Sequence, residues 1–533
     1  MTEGLWRRSP ARTDAFALAL VTFISALPYV TRLGFYSDDW GLLALFEAAQ
    51  RQGQLSGFIA KHFIGRPVQG LYLGALFSAF GRDPLGYHPV NTVVIAGTIA
   101  LFYSLLMRLR LGRAGSFAAA LLFALLPQLS TVRVWYSAFQ IPLSLALALG
   151  SMHLQLGFAR SGKWSSLALA AAAALLSIGA YEIFAPLIAG FGLGLMLERW
   201  KWSKPKLALG AVIVGAVIAG LAYKLAFSGR AGATGDPKRY LAGLRQLVRP
   251  DYDWRVDSGL NLIATPSAYF WAPMRGLWQG LWAGPELTAI LAAFAVAAIT
   301  WWRLAGVTDQ GTSPRPLLLI GIAAFLLGNA IFLIVPAVVF TSTGIDNRVQ
   351  VAAALGVAMI FAAVLALAVG RRPELFAATI GLVATLGMLR LAQIERYWAE
   401  APALQRRVLA AASRDLRLVP PGSTVILDGV CPYHGPAVVF EAGWDVAGAL
   451  TLALGRPVSG DTVSERMRVT PGGLATSIYK EPSLYPYGPR LFVYDPGRHS
   501  IWRLGDAQAA ARYFSRRGAG HCPAGYVARG VEV

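Results

Sequence analysis

Two adjacent carboxylates, Asp38 and Asp39, follow the first apolar segment of the chain in Tyr36-Ser37-Asp38-Asp39-Trp40. Neighbouring carboxylates repel each other, and each is costly to desolvate at a membrane surface. The pair suits a base that deprotonates a substrate hydroxyl beside a partner that orients a metal ion or a hydrogen-bond donor. The alternative is an exposed N-terminal cap for a helix over Gly41–Gln50, because Ser and Asp accept backbone N–H bonds there.

Glu182 is a second acid in an unusual place, between two apolar segments in Ser177-Ile178-Gly179-Ala180-Tyr181-Glu182. An ionisable residue at a membrane boundary is expensive, so it is by default a candidate for function with a partner of opposite charge. We expect Arg133 or the hydroxyls of a bound sugar to be its partner. A buried structural ion pair is the alternative.

Composition places these acids in a membrane protein. The 533 residues are 56% hydrophobic and only 14% charged, and Lys and Arg exceed Asp and Glu by 48 to 28, a net charge of +20. The mean hydropathy is +0.51. An ordinary soluble domain has about 25% charged residues. We therefore predict a polytopic membrane protein and no nucleic-acid partner.

About eleven segments are long enough to span a bilayer as helices, since a span needs about 20 apolar residues. The predicted spans are Asp14–Leu33, Pro89–Arg108, Gly115–Thr131, Ala138–Phe158, Trp164–Ala180, Ile183–Leu197, Leu207–Phe227, Glu286–Trp302, Pro316–Phe340, Val349–Val369 and Glu374–Ala392. Two further apolar stretches, Pro67–Phe80 and Leu260–Leu281, are short or interrupted by Pro. We interpret both as interfacial or re-entrant helices.

Short basic clusters set the orientation, because Lys and Arg concentrate in cytoplasmic loops. With eleven spans and a cytoplasmic N-terminus, every such cluster falls on the cytoplasmic side. The clusters are Arg7/Arg8/Arg12, Arg108/Arg110/Arg113, Arg160/Lys163, Arg199/Lys201/Lys204/Lys206, Arg303/Arg315 and Arg371/Arg372. The opposite face then receives the loops 34–88 and 228–285 and the tail 393–533. We predict a transmembrane domain over 1–392, no cleaved signal peptide, and the functional site on the extracytoplasmic face.

The tail is predicted to be a small extracytoplasmic α/β domain. A helix over Glu395–Leu418, with Arg among Leu and Ala, is a candidate for lying on the surface. Strands are expected at Ser423–Leu427 and Arg490–Tyr494. The only two cysteines, Cys431 and Cys522, both fall in the tail and are predicted to form a disulfide outside the cytoplasm. Two unrelated buried thiols are the alternative.

The first loop continues in a pattern that resembles a known family. After the acidic pair come Lys61-His62-Phe63-Ile64-Gly65-Arg66-Pro67 and Gly81-Arg82-Asp83-Pro84-Leu85-Gly86-Tyr87-His88-Pro89-Val90-Asn91. The acidic pair, Arg-Pro and Gly-x-x-Pro-x-x-Tyr-His-x-x-Asn resemble the GT-C membrane glycosyltransferases, such as protein O-mannosyltransferases and the aminoarabinose transferases of lipid A. The resemblance is specific over roughly residues 14–185 and architectural afterwards.

The resemblance implies an inverting transfer of a sugar from a polyprenyl-phosphate donor to an envelope acceptor on the extracytoplasmic face of a bacterial inner membrane. Asp38 and Asp39 match the acidic motif of the family, and we favour Asp38 as the base. Metal use varies in the family, so the resemblance leaves open a divalent ion, Mg or Mn, at Asp38 and Asp39. The acceptor, whether glycan, lipid or protein, and the sugar stay open.

The leaving phosphate of such a donor needs cations near its oxygens. The candidates are Arg66, Arg133, Lys224 and Arg348. Each of them could instead be an interfacial residue, whose apolar stem is buried while its charged end stays in water. Further candidates for contact with substrate are His62, His88, Asn91, Tyr136 and Glu182. For the histidines a structural role is the alternative, and Asn91 could hydrogen-bond His88 or the lipid head group.

Three other classes compete with this interpretation. An O-antigen ligase would have a similar number of spans but a large late loop with Arg and His, whereas the loop Thr341–Arg348 is short. A transporter of lipid or sugar usually has charges or broken helices at the membrane midplane. A non-catalytic anchoring protein would leave the acidic pair without a role.

Overall fold

The structure is a computed structural model that describes residues 10–197, 203–227, 245, 249, 267–307, 313–333, 340–464, 466–478 and 481–516. Most of these residues are helical. The first eleven α-helices are α1 (Pro10–Ala26), α2 (Asp38–Arg51), α3 (Leu55–His62), α4 (Pro67–Phe80), α5 (Pro84–Arg108), α6 (Arg113–Leu125), α7 (Ser130–Val134), α8 (Gln140–Ser161), α9 (Trp164–Ala180), α10 (Ala185–Leu197) and α11 (Lys204–Phe227). The remaining described helices are α12 (Ala272–Trp282), α13 (Leu287–Leu304), α14 (Arg315–Asn329), α15 (Val351–Val369), α16 (Pro373–Asp415), α17 (Gly443–Leu454) and α18 (Ala507–Arg516).

The chain is a polytopic α-helical membrane protein, as the sequence predicts. Within the described ranges, seven helices are long and apolar enough to cross a membrane, or eight if one bent pair counts as a span. The predicted number of eleven is therefore not confirmed. Prolines account for part of the difference, because a proline lacks the N–H that a helix interior needs. The predicted span Gly115–Thr131 breaks before Pro127 and bends by 53° there, and α1 ends at Ala26, two residues before Pro28.

The two short apolar stretches of the prediction form short helices. Pro67–Phe80 is the 14-residue helix α4, with Pro67 in its first turn, where a missing N–H costs nothing. Of Leu260–Leu281, residues 260–266 lie outside the described part of the chain. The rest forms a π-helical turn, Ser267–Trp271, and α12. Trp271, Trp278 and Trp282 are largely exposed there, in keeping with an interfacial depth.

The last membrane-spanning helix continues without interruption into the C-terminal region. Helix α16 has 43 residues, which at 1.5 Å per residue corresponds to about 65 Å. It joins the predicted span Glu374–Ala392 to the predicted surface helix, and the expected boundary at residue 393 lies inside it. Ile394, Trp398 and Ala401 are buried, so this part of α16 packs inward and does not lie on the surface.

The C-terminal region is a small α/β unit. Its main sheet has the order β4-β1-β8-β9, in which β1 (Thr424–Leu427) runs parallel to both β4 (Ser459–Thr462) and β8 (Leu491–Asp495). Strand β9 (Ser500–Arg503) pairs antiparallel with β8 at the edge. The smaller sheets are β2 (Tyr433–His434) with β3 (Ala437–Val438), and β5 (Arg468–Thr470), β6 (Gly473–Ile478) and β7 (Glu481–Pro486). Apolar runs in β1 and β8 are buried, as predicted for strands.

Cys431 is disulfide-bonded. Cys522 is the other cysteine of the sequence and lies outside the described residues. The predicted pairing of the two therefore stays a prediction.

Arg113 and Arg303, two members of the basic clusters that predict the membrane orientation, also bind a buried carboxylate. Asp14 of α1 is fully buried and accepts hydrogen bonds from Arg113 Nε at 2.7 Å, Arg303 Nε at 2.7 Å and the Tyr103 hydroxyl at 2.7 Å. A buried carboxylate needs such partners, since an uncompensated charge in the interior is very costly. The group joins α1 to α5, α6 and α13 at one end of the helical bundle.

Candidate active site

The two first-loop acids have different environments. Asp38 is exposed at the start of α2, whereas Asp39 is completely buried. Asp39 Oδ2 accepts the backbone N–H of Tyr36 at 2.9 Å, and Oδ1 accepts the backbone N–H and the hydroxyl of Ser137 at 2.8 and 2.6 Å. Asp39 therefore closes the turn before α2, and Asp38 is the acid that a molecule from solvent can reach.

Burial is the main reason why the pKa of Asp39 is raised to about 7. The hydrogen bonds from Ser137 and Tyr36 oppose this shift because they stabilise the carboxylate. Ser137 lies in the 3₁₀ turn Tyr136–Ala138, just after the broken helix. Sequence reasoning missed Ser137, since a serine in an apolar segment carries no signal that a distant carboxylate is its partner.

The divalent ion predicted at Asp38 and Asp39 stays a prediction, and the described residues offer it few ligands. A metal ion needs several oxygen or nitrogen ligands that point at one place, and both oxygens of Asp39 already accept hydrogen bonds from the protein. Within the described residues, no group of three or more His, Cys, Asp or Glu side chains could hold a metal ion. We therefore derive no step through a metal ion at Asp38 and Asp39.

Three of the predicted residues meet in one buried group. Arg66 donates to Glu182 in a bidentate pair, Nε to Oε2 at 3.1 Å and a terminal nitrogen to Oε1 at 2.9 Å. The Lys224 ammonium forms an ion pair with the same carboxylate. The side chains of Lys224 and Glu182 are each 4% exposed and that of Arg66 is 14% exposed. Two positive charges thus converge on one carboxylate.

Local structure explains how these three side chains meet. Arg66 is the residue before α4, where Pro67 starts the helix, and its guanidinium also lies 4.6 Å from the centre of the Tyr181 ring. Glu182 comes two residues after the last residue of α9, Ala180. Helix α9 approaches α4 so closely that a Cβ on Gly179 would lie 3.1 Å from Val68. Lys224 is near the end of α11. The ends of three helices therefore bring the charges together.

Arg133 does not pair with Glu182, contrary to the expectation from the sequence. Its Nε donates to Glu395 Oε1 at 2.7 Å, and a terminal nitrogen donates to the Ser25 hydroxyl at 2.7 Å. Both charged side chains are buried, at 4% and 3% exposure. Glu395 was missed because it was interpreted as part of a surface helix. Arg133 thus ties the broken helix α6–α7 to α16 and is separate from the Arg66 group.

Arg348 adjoins the first loop through an aromatic residue. Its guanidinium lies 4.9 Å from the centre of the Trp135 ring, and the Trp135 indole donates to the Tyr36 carbonyl at 3.0 Å. Tyr36 lies two residues before Asp38. Arg348 also donates to the Ile345 carbonyl at 2.6 Å and faces Asp346 at 3.9 Å. Of the four predicted cations, Arg348 is the one that these contacts connect to the acidic loop.

The predicted substrate-binding residues other than Glu182 make contacts within the protein, and their contact with a substrate stays a prediction. His88 Nε2 lies 3.2 Å from the Gly34 carbonyl, and the Tyr136 hydroxyl donates to the Leu73 carbonyl at 2.5 Å. The Asn91 amide donates to the Val132 carbonyl at 2.8 Å and does not contact His88 in the contacts described. His62 is half-buried and stacks on Phe58 with ring centres 5.0 Å apart, and burial lowers its pKa.

An apolar cluster joins the acidic loop to α4. Phe35, Tyr87 and Tyr136 pack edge to face, with ring centres 5.3 Å apart for Phe35 and Tyr87 and 4.7 Å for Tyr87 and Tyr136. Leu73 belongs to the same buried cluster. Leu73 lies in α4, about two turns after Arg66, which directly precedes this helix. The cluster therefore fixes the position of α4, and with it that of Arg66, relative to the first-loop acids.

The C-terminal region supplies a side chain to the first loop. The Ser37 hydroxyl donates to Glu441 Oε1 at 2.6 Å, and the Tyr433 hydroxyl donates to Glu441 Oε2 at 2.6 Å. Glu441 is 5% exposed. Sequence reasoning missed it, although an acid directly after the apolar run Ala437–Phe440 is a signal that a buried partner exists.

Comparison with known proteins gives matches in structure only. No protein-family model matches the chain, and no curated protein matches it in sequence. The chain is similar to ArnT from Cupriavidus metallidurans bound to undecaprenyl phosphate, with 14% identity and a TM-score of 0.36, over 85% of this chain and 86% of that one. It is also similar to the archaeal oligosaccharyltransferase AglB from Archaeoglobus fulgidus in complex with an inhibitory peptide and a dolichol-phosphate, with 13% identity and a TM-score of 0.42.

The AglB match covers 84% of this chain, which spans 64% of the length of AglB. Both neighbours are GT-C membrane glycosyltransferases, the class that the first-loop motif resembles. Since identities and TM-scores are low, the functional proposals below rest on the residues of this chain.

Proposed function

We propose that the chain is a membrane glycosyltransferase. It transfers a sugar from a polyprenyl-phosphate donor to a hydroxyl of an envelope acceptor, with inversion at the anomeric carbon. Its place is the bacterial inner membrane, with a cytoplasmic N-terminus and with the first loop and the C-terminal domain on the periplasmic face. The acceptor is a glycan, a lipid or a protein.

The observation that carries the proposal is the convergence of Arg66 and Lys224 on Glu182. Glu182 holds the two cations side by side, in bidentate contact with Arg66 and in an ion pair with Lys224. A guanidinium is a rigid fork whose geometry matches a carboxylate or a phosphate, and an ammonium adds a compact positive charge. A phosphate held by this pair has its negative charge stabilised in surroundings that exclude most water, where such interactions are strong.

Asp38 has the chemistry and the exposure of the base. In the reaction, the acceptor oxygen attacks the anomeric carbon while the bond from that carbon to the phosphate oxygen breaks. The acceptor proton passes to the Asp38 carboxylate, and the bonding electrons leave with the polyprenyl phosphate. General base catalysis contributes about 100- to 10,000-fold in rate. Asp39, which is buried and fully hydrogen-bonded, supports the loop and takes no proton from the acceptor.

A transporter is the second candidate, favoured by a different observation. Arg133 and Glu395 are charged residues buried between helices, and both line a small cavity with residues of α1 and α5 such as Thr22 and Ile95. Charged residues inside the membrane often mark pathways for ions or substrates. Here one cation faces one carboxylate, so their charges cancel, whereas the Arg66 group has two cations for one carboxylate. We therefore favour a structural role for Arg133 and Glu395.

The test combines binding with analysis of the envelope. Full-length protein in lipid nanodiscs should bind undecaprenyl phosphate in native mass spectrometry. A deletion strain should lack one glycan modification in mass spectra of its envelope lipids, polysaccharides and proteins. No binding together with an unchanged envelope would overturn the proposal. Uptake of sugar or lipid into vesicles that does not depend on a polyprenyl-phosphate donor would favour the transporter.

A further inference from the structure

The segment before Asp38 has an unusual backbone conformation. Ser37 has a φ of 47° and a ψ of −122°, in the region that favours glycine. It is one of three residues other than glycine with positive φ in the described part of the chain. A strained residue persists only where its surroundings determine the conformation, and such residues concentrate at functional sites. The direction of the Asp38 side chain depends on this turn, because Asp38 directly follows Ser37.

The contacts that hold this turn come from three parts of the chain. Tyr36 donates its hydroxyl to the Trp398 carbonyl of α16 at 2.5 Å, and Trp135 donates to the Tyr36 carbonyl at 3.0 Å. Asp39 accepts the Tyr36 N–H. These bonds fix the residues on either side of Ser37. Of the hydrogen bonds described above, the one that involves the Ser37 side chain is donated by its hydroxyl to Glu441 of the C-terminal domain.

Glu441 is itself held in a fixed position. Its backbone N–H donates to Asp445 Oδ2 at 2.8 Å, and Asp445 is fully buried at the start of α17. Tyr433 binds the second oxygen of Glu441. The carboxylate therefore has one oxygen bound within the C-terminal domain and the other available to the Ser37 hydroxyl.

The C-terminal domain packs closely on the first loop, so a fixed position of Glu441 also fixes that of Ser37. Helix α17 crosses α2 so closely that a Cβ on Gly448 would lie 2.4 Å from the Trp40 carbonyl oxygen, and one on Gly41 would lie 3.2 Å from the Trp444 carbonyl oxygen. Such approaches between backbones leave no room for sliding, because packed interiors deform little. Helices α2 and α17 and the turn at Ser37 therefore form one packed unit.

We propose that Glu441 is a positioning residue for the acceptor side of the reaction. By holding the Ser37 hydroxyl it fixes the turn that directs the Asp38 carboxylate, so the C-terminal domain forms part of the active site. This inference rests on the proposed function, in which Asp38 is the base. The hydrogen bonds described for Glu441 lead to Ser37, Tyr433 and Asp445, so we expect its effect in the chemical step and not in donor binding.

The test uses full-length protein in nanodiscs with Glu441→Gln, Ser37→Ala and the double variant. A catalytic geometry that is wrong by about 1 Å costs about 100-fold in rate, so each single variant should lower kcat about 100-fold. The double variant should be no slower than the singles, because both substitutions remove one interaction. The KM for donor and the binding of undecaprenyl phosphate should stay unchanged. The matched control, Glu400→Gln, removes an acid whose partner is His434 and should keep the kcat of the wild type.

A second measurement separates this inference from the proposed function. Amide hydrogen exchange of residues 34–41 should become faster in Glu441→Gln and in Tyr433→Phe, and not in Glu400→Gln. Unchanged exchange in that segment would overturn the positioning role, and so would additive losses of kcat in the double variant. A Glu441→Gln enzyme that loses the acidic limb of the pH–rate profile, where a general base becomes protonated, would also overturn it, since Glu441 would then be the base. Failure of the wild type to bind undecaprenyl phosphate would instead count against the proposed function.

Discussion

Asp39 and Ser137 are joined by two hydrogen bonds across 98 positions of sequence, from the backbone N–H and from the hydroxyl of Ser137 to the same carboxylate oxygen. The two residues connect the first loop to the turn that follows the helix broken at Pro127. As a consequence, the two neighbouring acids have different environments. Asp39 is held within the loop, and Asp38 is exposed, as its proposed role as base requires.

Replacing each acid by its amide should separate stability from activity. Asp39→Asn should lower the free energy of unfolding by about 1–3 kcal/mol, because a buried N–H or hydroxyl loses its acceptor. Asp38→Asn should change it by less than about 0.5 kcal/mol, as for other exposed residues, and should lower transfer about 100- to 10,000-fold. Thermal melts in nanodiscs and a transfer assay measure the two effects.

The same pair of variants shows which acid is the base. Normal transfer by Asp38→Asn protein would contradict the assignment. A stable Asp39→Asn protein that is as inactive as Asp38→Asn would move the role to Asp39.

Stability should depend on pH through Asp39. Burial raises the pKa of this carboxyl from the model-peptide value of 3.8 to about 7 in the folded protein. A raised pKa means that the folded protein holds the proton more tightly, so the stabilisation from this group is present below pH 3.8 and is lost as the pH rises to about 7. Asp39→Asn cannot titrate there. The melting temperature of the wild type minus that of the variant should therefore fall between pH 5 and pH 8, and a constant difference would contradict the shift.

Arg66 and Arg82 allow one substitution to be compared in two settings. Arg66→Lys removes the bidentate pair with buried Glu182, whereas Arg82→Lys alters an ion pair with Glu47 in which the Arg82 side chain is 46% exposed. A charge-assisted hydrogen bond is worth about 1.5–3 kcal/mol, so Arg66→Lys should weaken binding of undecaprenyl phosphate about 10- to 100-fold. Arg82→Lys should leave it unchanged. Equal affinities in a titration followed by native mass spectrometry would argue against a phosphate site at Arg66.

The close crossing of α2 and α17 predicts an effect of a single methyl group. Gly448→Ala would place a Cβ 2.4 Å from the Trp40 carbonyl oxygen, so the two helices must separate. Overpacking of this kind costs about 1–3 kcal/mol. We expect a lower melting temperature and slower transfer for Gly448→Ala, measured on the same nanodisc samples.

Gly97→Ala is the control, because a Cβ on this glycine of α5 meets nothing within 4 Å. It should be neutral or stabilising by up to about 1 kcal/mol, since alanine favours a helix. A Gly448→Ala protein that melts with the wild type would show that the helices can separate without cost.

The sequence predicted the helical membrane architecture, because the apolar segments and their lengths are local features. It missed where the helices break, since Pro127 acts only through the hydrogen bonds that it removes. Arg66 and Lys224 were predicted as cations for the leaving phosphate, and Glu182 as an acid between two apolar segments. Their pairing, and that of Arg133 with Glu395, depends on how separate helices pack, and a single sequence contains no record of those distances.

The C-terminal contribution to the site was the least accessible to prediction. Glu441 is separated from Ser37 by 404 positions, and no spacing rule links residues so far apart. Strands β1 and β8 could be predicted from their apolar runs, but their parallel pairing was not predicted. The packing of α17 on α2 could not be predicted, because it depends on Gly41 and Gly448. These glycines matter because they have no side chain at the place where the two helices meet.

The hydrogen bond between Ser37 and Glu441 also has a consequence for biosynthesis. Ribosomes add about 5–20 residues per second, so the 404 positions between these residues correspond to a delay of about 20–80 s. During that time the first loop has left the ribosome without the partner that fixes its turn. A nascent or truncated chain would carry the cation group but an unfixed Asp38. If the proposed function holds, transfer competence would then arise only when translation is nearly complete.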